Sequence, residues 1–151
     1  MEYAVNEGSD WRSEMDAWLK SSLSHQVFNP NVESKRFLLR KLPHVDVRKL
    51  KFDDTEKFTK VIRGVVDLDS KEIASRTDYV ICYWDESAQR GAGTKGELTL
   101  ARFFRKPVYC VTEMNAADIP GWVLGCTTAS FPSFDQLKLF LLKQFKRGRT
   151  K

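Results

Sequence analysis

The stretch DYVICYWDESAQRGAGTKGELTLARFFRKPVYCV, residues 78–111, decides the fold class of this chain. Its first seven residues, 78–84, are almost continuously apolar and aromatic, which is typical of a strand covered on both faces of a sheet. Residues 94–106 show the periodicity of an amphipathic helix, and a second buried strand is predicted at 107–112. Two buried strands joined by a helix indicate a parallel sheet, because parallel neighbours need a crossover connection.

The rest of the chain continues this alternation of short apolar segments and amphipathic segments. Further strands are predicted at 2–5, 25–28 and 127–131, and further helices at 9–23, 52–62, 67–77 and 133–145. The charged region 33–63 is mostly helical in pattern. We therefore expect one α/β domain over residues 1–146, with a Rossmann-like (flavodoxin-like) parallel sheet and helices on both faces. A basic tail follows at 147–151.

The composition is that of a soluble domain, with 42% hydrophobic and 30% charged residues. Cys82 and Cys110 lie inside apolar segments and are predicted to be buried thiols in a reducing compartment. The chain has no Cys-x-x-Cys pair, and two histidines are too few to indicate a metal site. The first 20 residues have no apolar signal-peptide core, and no segment reaches the ~20 apolar residues of a membrane span. We expect a cytoplasmic protein with no metal, no cofactor and no membrane partner.

The chain is basic, with a net charge of +5 and a pI of about 9.2. Much of the excess lies in residues 35–51 and in residues 143–151. The simplest interpretation is a solvated surface helix and a solvated terminus. A patch that attracts phosphorylated small molecules is the alternative, and nucleic acid is the least favoured partner.

The glycine-rich segment GAGTKGE, residues 91–97, has two interpretations. Thr94 and Glu97 have the spacing of a capping box, in which each side chain accepts from the backbone amide of the other residue. The glycines also let the backbone approach a ligand closely at the start of a helix. A carboxylate there repels phosphate but suits a positive charge that develops at C1′ of a sugar. The segment alone leaves both interpretations open.

Residues 78–112 resemble the nucleoside 2-deoxyribosyltransferase family, which includes nucleotide N-glycosidases. The shared pattern is an aspartate, an apolar strand that ends near an acidic residue, a Gly-Thr-x-x-Glu turn at 93–97, an alanine-containing helix and Lys-Pro-Val at 106–108. Weaker similarity extends over most of the chain outside 35–60, through the segments YAVNEG (3–8), DWRSEM (10–15) and VFNP (27–30).

The resemblance implies a role for each matching residue. Glu97 would attack C1′ and form a covalent glycosyl-enzyme, Tyr3 would orient Glu97, and Asp69 would assist proton transfer to the leaving base. Asp67 is the rival of Asp69 for that position. The residues expected to contact the substrate are Asp85, Gly91, Gly93, Thr94, Asn6 and Trp11.

Several of these residues also have a purely structural interpretation. Asp69 stands near the start of the predicted helix 67–77 and can cap it, and Asp85 can be a turn residue after the strand. Tyr3 and Trp11 can be core aromatics. The sequence leaves these alternatives open.

The expected activity is cleavage or transfer of the N-glycosidic bond of a nucleoside or nucleoside 5′-monophosphate. Such a reaction passes through an oxocarbenium-like transition state, which one carboxylate can trap while a second carboxyl group protonates the leaving group. A non-catalytic nucleotide-binding module and an NAD glycohydrolase are the alternatives. The resemblance also implies a homo-oligomer, dimer or higher, because relatives often complete their sites across subunits.

Overall fold

The structure, a computed structural model, describes residues 9–146. The helices of this part are α1 (Ser9–Leu23), α2 (Pro30–Lys41), α3 (Val47–Asp53), α4 (Thr55–Ser75), α5 (Glu86–Arg90), α6 (Ala92–Phe103), α7 (Gly121–Cys126) and α8 (Phe134–Lys146). The strands are β1 (Val80–Tyr83), β2 (Val108–Val111) and β3 (Ala129–Phe131). A 3₁₀ turn, Ala116–Asp118, precedes α7. The predicted strand 2–5 and the basic tail lie outside the described residues.

The three strands form one parallel sheet in the order β1-β2-β3. Cys82 of β1 lies opposite Cys110 of β2, and Cys110 lies opposite Ser130 of β3. The expectation of a parallel α/β sheet around residues 78–112 is therefore confirmed.

Alternate residues of the strands face two different groups of helices. Cys82 and Cys110 pack with residues of α4, α5, α6 and α7, whereas Tyr109 and Val111 pack with residues of α1 and α8. Helices thus cover both faces of the sheet. Cys82 and Cys110 are buried free thiols, as the sequence predicts, and Cys126 is also a buried free thiol.

The predicted strand at 25–28 is wrong, because this segment is a linker between α1 and α2. Ser24 has a positive φ of 58° and ends α1, and the amide of His25 donates to the carbonyl of Leu19 at 3.2 Å. At the other end, Asn29 caps α2 by accepting from the amide of Asn31 at 3.1 Å. This segment is held by capping hydrogen bonds at its two ends, not by hydrogen bonds to a neighbouring strand.

The two helices predicted at 52–62 and 67–77 are in fact the single helix α4, and the predicted turn between them is wrong. Asp54 caps this helix and accepts from the amide of Lys57 at 2.9 Å. Asp67 and Asp69 lie inside the helix instead of at its start. Aspartate favours helix caps only locally, and the packing of α4 against α2, α3 and α6 overrides that preference.

Trp84 follows β1 and is fully buried, at 0% exposure. It packs in the cluster formed with α4, α5, α6 and α7, not under the C-terminal helix. Trp84 therefore belongs to the core on the opposite face of the sheet from α8.

Candidate functional site

Glu97 lies in the second turn of α6, which corrects the capping-box interpretation. The helix begins at Ala92 with Gly91 as its N-cap residue, and Gly91 makes no side-chain capping bond. Thr94 is therefore already the third helical residue and cannot be an N-cap. The glycine-rich segment enters the helix earlier than its composition suggests because α5 ends at Arg90, only two residues before α6 begins.

Asp69 lies deep within α4, so its predicted role as a helix cap is wrong. Its side chain is partly buried, and the Oδ1 atom has no hydrogen-bond partner among the described residues. Burial raises the pKa of Asp69 to about 6. A buried carboxyl oxygen without a hydrogen-bond partner is costly to keep. Asp69 is therefore a group that ordinary helix packing does not account for.

Glu97 and Asp69 come together because α4 and α6 pack against each other. The pKa of Glu97 is raised to about 7, first by burial and second by the charge of Asp69. The nearby Arg12 guanidinium acts in the opposite direction and lowers the pKa of Glu97. The two carboxyl groups are therefore one electrostatically coupled pair that titrates near neutral pH.

Arg12 brings a third helix, α1, to this pair. Burial lowers the pKa of Arg12, and the charge of Glu97 partly offsets this effect. Its guanidinium carbon lies 4.4 Å from the centre of the Trp11 ring. Arg12 is thus placed to compensate charge on Glu97 while the adjacent aromatic ring shields it from water.

A small cavity of about 20 Å³ lies between α1, β1 and α6. The residues that line it are Trp11, Arg12, Val80, Ile81, Cys82, Tyr83, Thr94, Glu97 and Leu98. This volume holds about one water molecule. Within residues 9–146, no cluster of three His, Cys, Asp or Glu side chains is suited to a metal ion.

Asp85 caps the short helix α5. Its Oδ1 atom accepts from the Ser87 hydroxyl at 2.6 Å and from the Ala88 amide at 2.8 Å. The structural interpretation of Asp85 as a turn residue after the strand is therefore confirmed. Its expected contact with a ligand stays a prediction.

Trp11 belongs both to the core and to the lining of the cavity. Its ring stacks on Phe134 with centroids 5.5 Å apart and lies 6.3 Å from Tyr83. The indole Nε1–H is buried without a hydrogen-bond partner in the described part of the chain. The packing interpretation is confirmed.

Gly91 and Gly93 are both expected to contact the substrate, but the space around them differs. A Cβ atom at Gly91 would lie 3.7 Å from the Ala88 carbonyl oxygen, an ordinary contact. A Cβ atom at Gly93 would meet no described atom within 4 Å. Packing among residues 9–146 therefore does not require glycine at position 93. Tyr3 and Asn6 lie outside the described residues.

Sequence reasoning did not identify Cys82 and Tyr83 as part of the cavity lining. They lie in β1, whose residues face alternate sides of the sheet.

Thr94 and Lys95 precede Glu97 in α6 and make different contacts. Thr94 lines the cavity. Lys95 Nζ donates to the Gln89 carbonyl at 2.7 Å, which ties α6 to α5.

Comparisons with protein families, with curated proteins and with solved structures found no match to this chain. The fold and the site define an α/β protein with a coupled carboxyl pair and a partly buried arginine beside a parallel sheet. Among residues 9–146, no helix combines the length and apolar character needed to cross a membrane.

Proposed function

We propose that the protein cleaves or transfers the N-glycosidic bond of a nucleoside or nucleoside 5′-monophosphate. The observation that carries this proposal is the charge effect of Asp69 on Glu97, by which the carboxyl group on α4 raises the pKa of the carboxyl group on α6. Coupled carboxyl groups with raised pKa values are a recurrent feature of catalytic acid–base pairs. The resemblance of residues 78–112 to nucleoside 2-deoxyribosyltransferases supports the same chemistry.

In the proposed reaction, a carboxylate oxygen of Glu97 forms a bond to C1′ as the bond from C1′ to the base nitrogen breaks. Asp69 gives its proton to the departing base, which leaves neutral. Water or a second base then attacks C1′, releases Glu97 and returns a proton to Asp69. General acid assistance of this kind typically contributes ~10²–10⁴-fold to the rate.

The pKa values bear on this division of labour. The pKa of Asp69, about 6, is lower than that of Glu97, about 7, so between these pH values the predominant singly protonated form carries the proton on Glu97. The proposed reaction proceeds from the less populated form, in which Glu97 is ionised and Asp69 is protonated. The reaction needs one ionised and one protonated carboxyl group, which is the singly protonated state. Arg12 favours the ionised form of Glu97.

Substrate binding requires the cavity to open. A nucleoside site usually has ~300 Å³ or more, whereas this cavity has about 20 Å³. Trp11 and Arg12 line the cavity from α1, so we propose that these two side chains move when substrate binds. The indole N–H of Trp11, which has no described partner, then becomes a hydrogen-bond donor to the ligand.

A non-catalytic nucleotide-binding module is the second candidate, and it too requires the cavity to open. In this alternative, the carboxyl pair serves to sense a ligand or a proton instead of attacking a sugar. The departures from the family pattern, such as Thr99 in place of a common glycine, agree with this alternative.

Two further proposals accompany the first, one on the fold and one on the oligomeric state. We propose that the described sheet belongs to a Rossmann-like, flavodoxin-like domain. We also propose a homo-oligomer, because the α6–α7 surface exposes Phe103 and Trp122 at 77% and 68%. Light scattering coupled to size-exclusion chromatography gives the oligomeric state directly, and a monomer at all concentrations would contradict the second proposal.

The activity is tested by chromatography of free base released from nucleosides, nucleoside monophosphates and NAD. Wild type is compared with Glu97→Gln and with Glu56→Gln, an exposed control on α4. We expect base release by wild type and the control and none by Glu97→Gln. Nicotinamide as the sole product would identify an NAD glycohydrolase. Tight nucleotide binding by calorimetry without base release would select the binding module.

A further inference from the structure

Residues 32–52 form one of the two basic segments of the chain. This segment contains seven Lys or Arg and two Asp or Glu residues, so that its charge of +5 equals that of the whole chain. The remaining 18 of the 25 basic and 18 of the 20 acidic residues balance each other. The other basic segment, residues 143–151, contains five Lys or Arg and no acidic residue, so the basic character of the protein is concentrated in these two segments.

Within residues 32–52, α2 presents a single outward stripe. Its exposed residues recur at spacings of three and one, which places them on one side of a helix. We call this surface the α2 stripe, and it consists of Val32, Lys35, Arg36, Leu39 and Arg40. Val32 and Leu39 are 41% and 58% exposed. Three cations are thus interleaved with two aliphatic side chains.

The opposite side of α2 fixes the helix to the body of the protein. Phe37 lies so close to α4 that a Cβ atom at Gly64 would be 2.5 Å from its ring. No residue of α2 is buried. The helix is therefore a peripheral element, held on α4 by one face, while the α2 stripe remains uncovered by residues 9–146.

The charges of the α2 stripe are largely uncompensated. Arg36 pairs with Glu33 at 2.6 Å, but neither Lys35 nor Arg40 forms an ion pair with a described residue. The next helix, α3, also packs on α4 and has the same composition, with Phe52 exposed at 85% beside Lys51. An exposed aromatic ring next to cations extends the character of the α2 stripe.

We propose that the α2 stripe binds the surface of an anionic lipid bilayer. The headgroup region supplies phosphate and carboxylate groups to the cations, and the adjoining acyl boundary accepts Leu39 and Val32. A nucleic-acid backbone satisfies the cations but leaves the aliphatic side chains in water. The expectation of no membrane partner rested on the absence of a spanning segment, and a peripheral contact needs none.

Vesicle co-sedimentation of the full chain at ~0.15 M salt tests the proposal, with phosphatidylcholine alone and with 30% phosphatidylserine. We expect binding only to the anionic vesicles. Removal of each cation weakens binding about fivefold, so Lys35→Gln combined with Arg40→Gln lowers the affinity about 25-fold. Leu39→Ser lowers it about tenfold. Both positions of the double variant are exposed, and melting curves verify that each variant is folded.

Lys71→Gln combined with Lys143→Gln is the matched control, because both lysines are exposed on other parts of the surface. Charges farther than ~8 Å from the bilayer are screened at this salt concentration, so the control retains nearly full binding. Failure of wild type to bind anionic vesicles, or an equal loss in the control, overturns the proposal. It is also overturned if short duplex DNA binds instead, with dependence on Lys35 and Arg40 and none on Leu39.

Discussion

The charge of Asp69 on α4 raises the pKa of Glu97 on α6. The two residues are brought together by the packing of their helices, and Arg12 from α1 acts on the same carboxyl group with the opposite sign. Three helices that are separate in sequence thus create one proton-binding site. The predictions below follow from this site and from the packing that supports it.

The first prediction concerns the coupling itself. Asp69→Asn removes a negative charge beside Glu97, so we expect the pKa of Glu97 to fall below its wild-type value of about 7. A ¹³C NMR titration of the Glu97 carboxyl carbon measures this change without reference to activity. Asp67→Asn is the matched control, since Asp67 is exposed on the same helix. Equal titration curves for wild type and Asp69→Asn would rule out the coupled pair.

The second prediction concerns the pH dependence of the proposed reaction. Activity requires the singly protonated pair, which is populated between the pKa values of about 6 for Asp69 and about 7 for Glu97. We therefore expect kcat/KM to follow a bell-shaped profile with its maximum in this interval. A rate that rises steadily to pH 9 would show that no shared proton is needed.

The third prediction concerns stability. The folded protein holds a proton on Glu97 up to a pH of about 7, whereas an ordinary glutamate loses it near 4.5. The folded state therefore binds more protons in this interval, and the free energy of unfolding falls as the pH rises through it.

Glu97→Gln removes the ionisation, so we expect it to stabilise the protein at pH 8 by about 2 kcal/mol, or roughly 4–8 °C in melting temperature. At pH 4 the gain should be close to zero. Melting curves of both proteins at the two pH values test this, and an unchanged difference between pH 4 and pH 8 would contradict it.

The fourth prediction concerns the attachment of α2. Gly64→Ala places a methyl group within 2.5 Å of the Phe37 ring, so we expect a net loss of about 1 kcal/mol from strain at this contact. Gly96→Ala in α6 is the control, because its Cβ would meet no described atom within 4 Å and its helix propensity improves by ~1 kcal/mol. Combining Gly64→Ala with Phe37→Leu should recover stability. If Gly64→Ala is as stabilising as the control, Phe37 does not pack there.

The fifth prediction concerns Asp85. Asp85→Ala removes both bonds that its carboxylate accepts within α5, and we expect a loss of about 1 kcal/mol. Asp85→Asn keeps an acceptor oxygen and should lose less than half of that. Urea denaturation of the two variants gives the comparison, and equal losses would mean that charge, not capping, stabilises this turn.

Much of the fold could be predicted because its signals are local. The apolar segments at 78–84, 107–112 and 127–131 contain the three strands, since residues of this type form strands when both faces are covered. The Ser133 cap of α8 is likewise local: its hydroxyl accepts from the Gln136 amide at 3.3 Å. The helices at 9–23 and 133–145 were also correct to within one residue.

Other features could not be predicted, because the same local signal has more than one outcome. Asp69 and Thr94 have sequence contexts typical of helix caps, yet both lie inside longer helices. The segment 25–28 has the composition of a strand and is a linker. In each case the packing of neighbouring helices, which no short pattern contains, decided the result.

The sequence by itself thus determined the parallel strands, most helices and the presence of Glu97 in a glycine-rich helix start. Only the tertiary structure decided that Glu97, Asp69 and Arg12 share one site, because the packing of α1, α4 and α6 sets their distances. It also decided their protonation, since the principal cause of each pKa change is burial. Desolvation depends on every neighbour that excludes water, and those neighbours are assembled only when the chain folds.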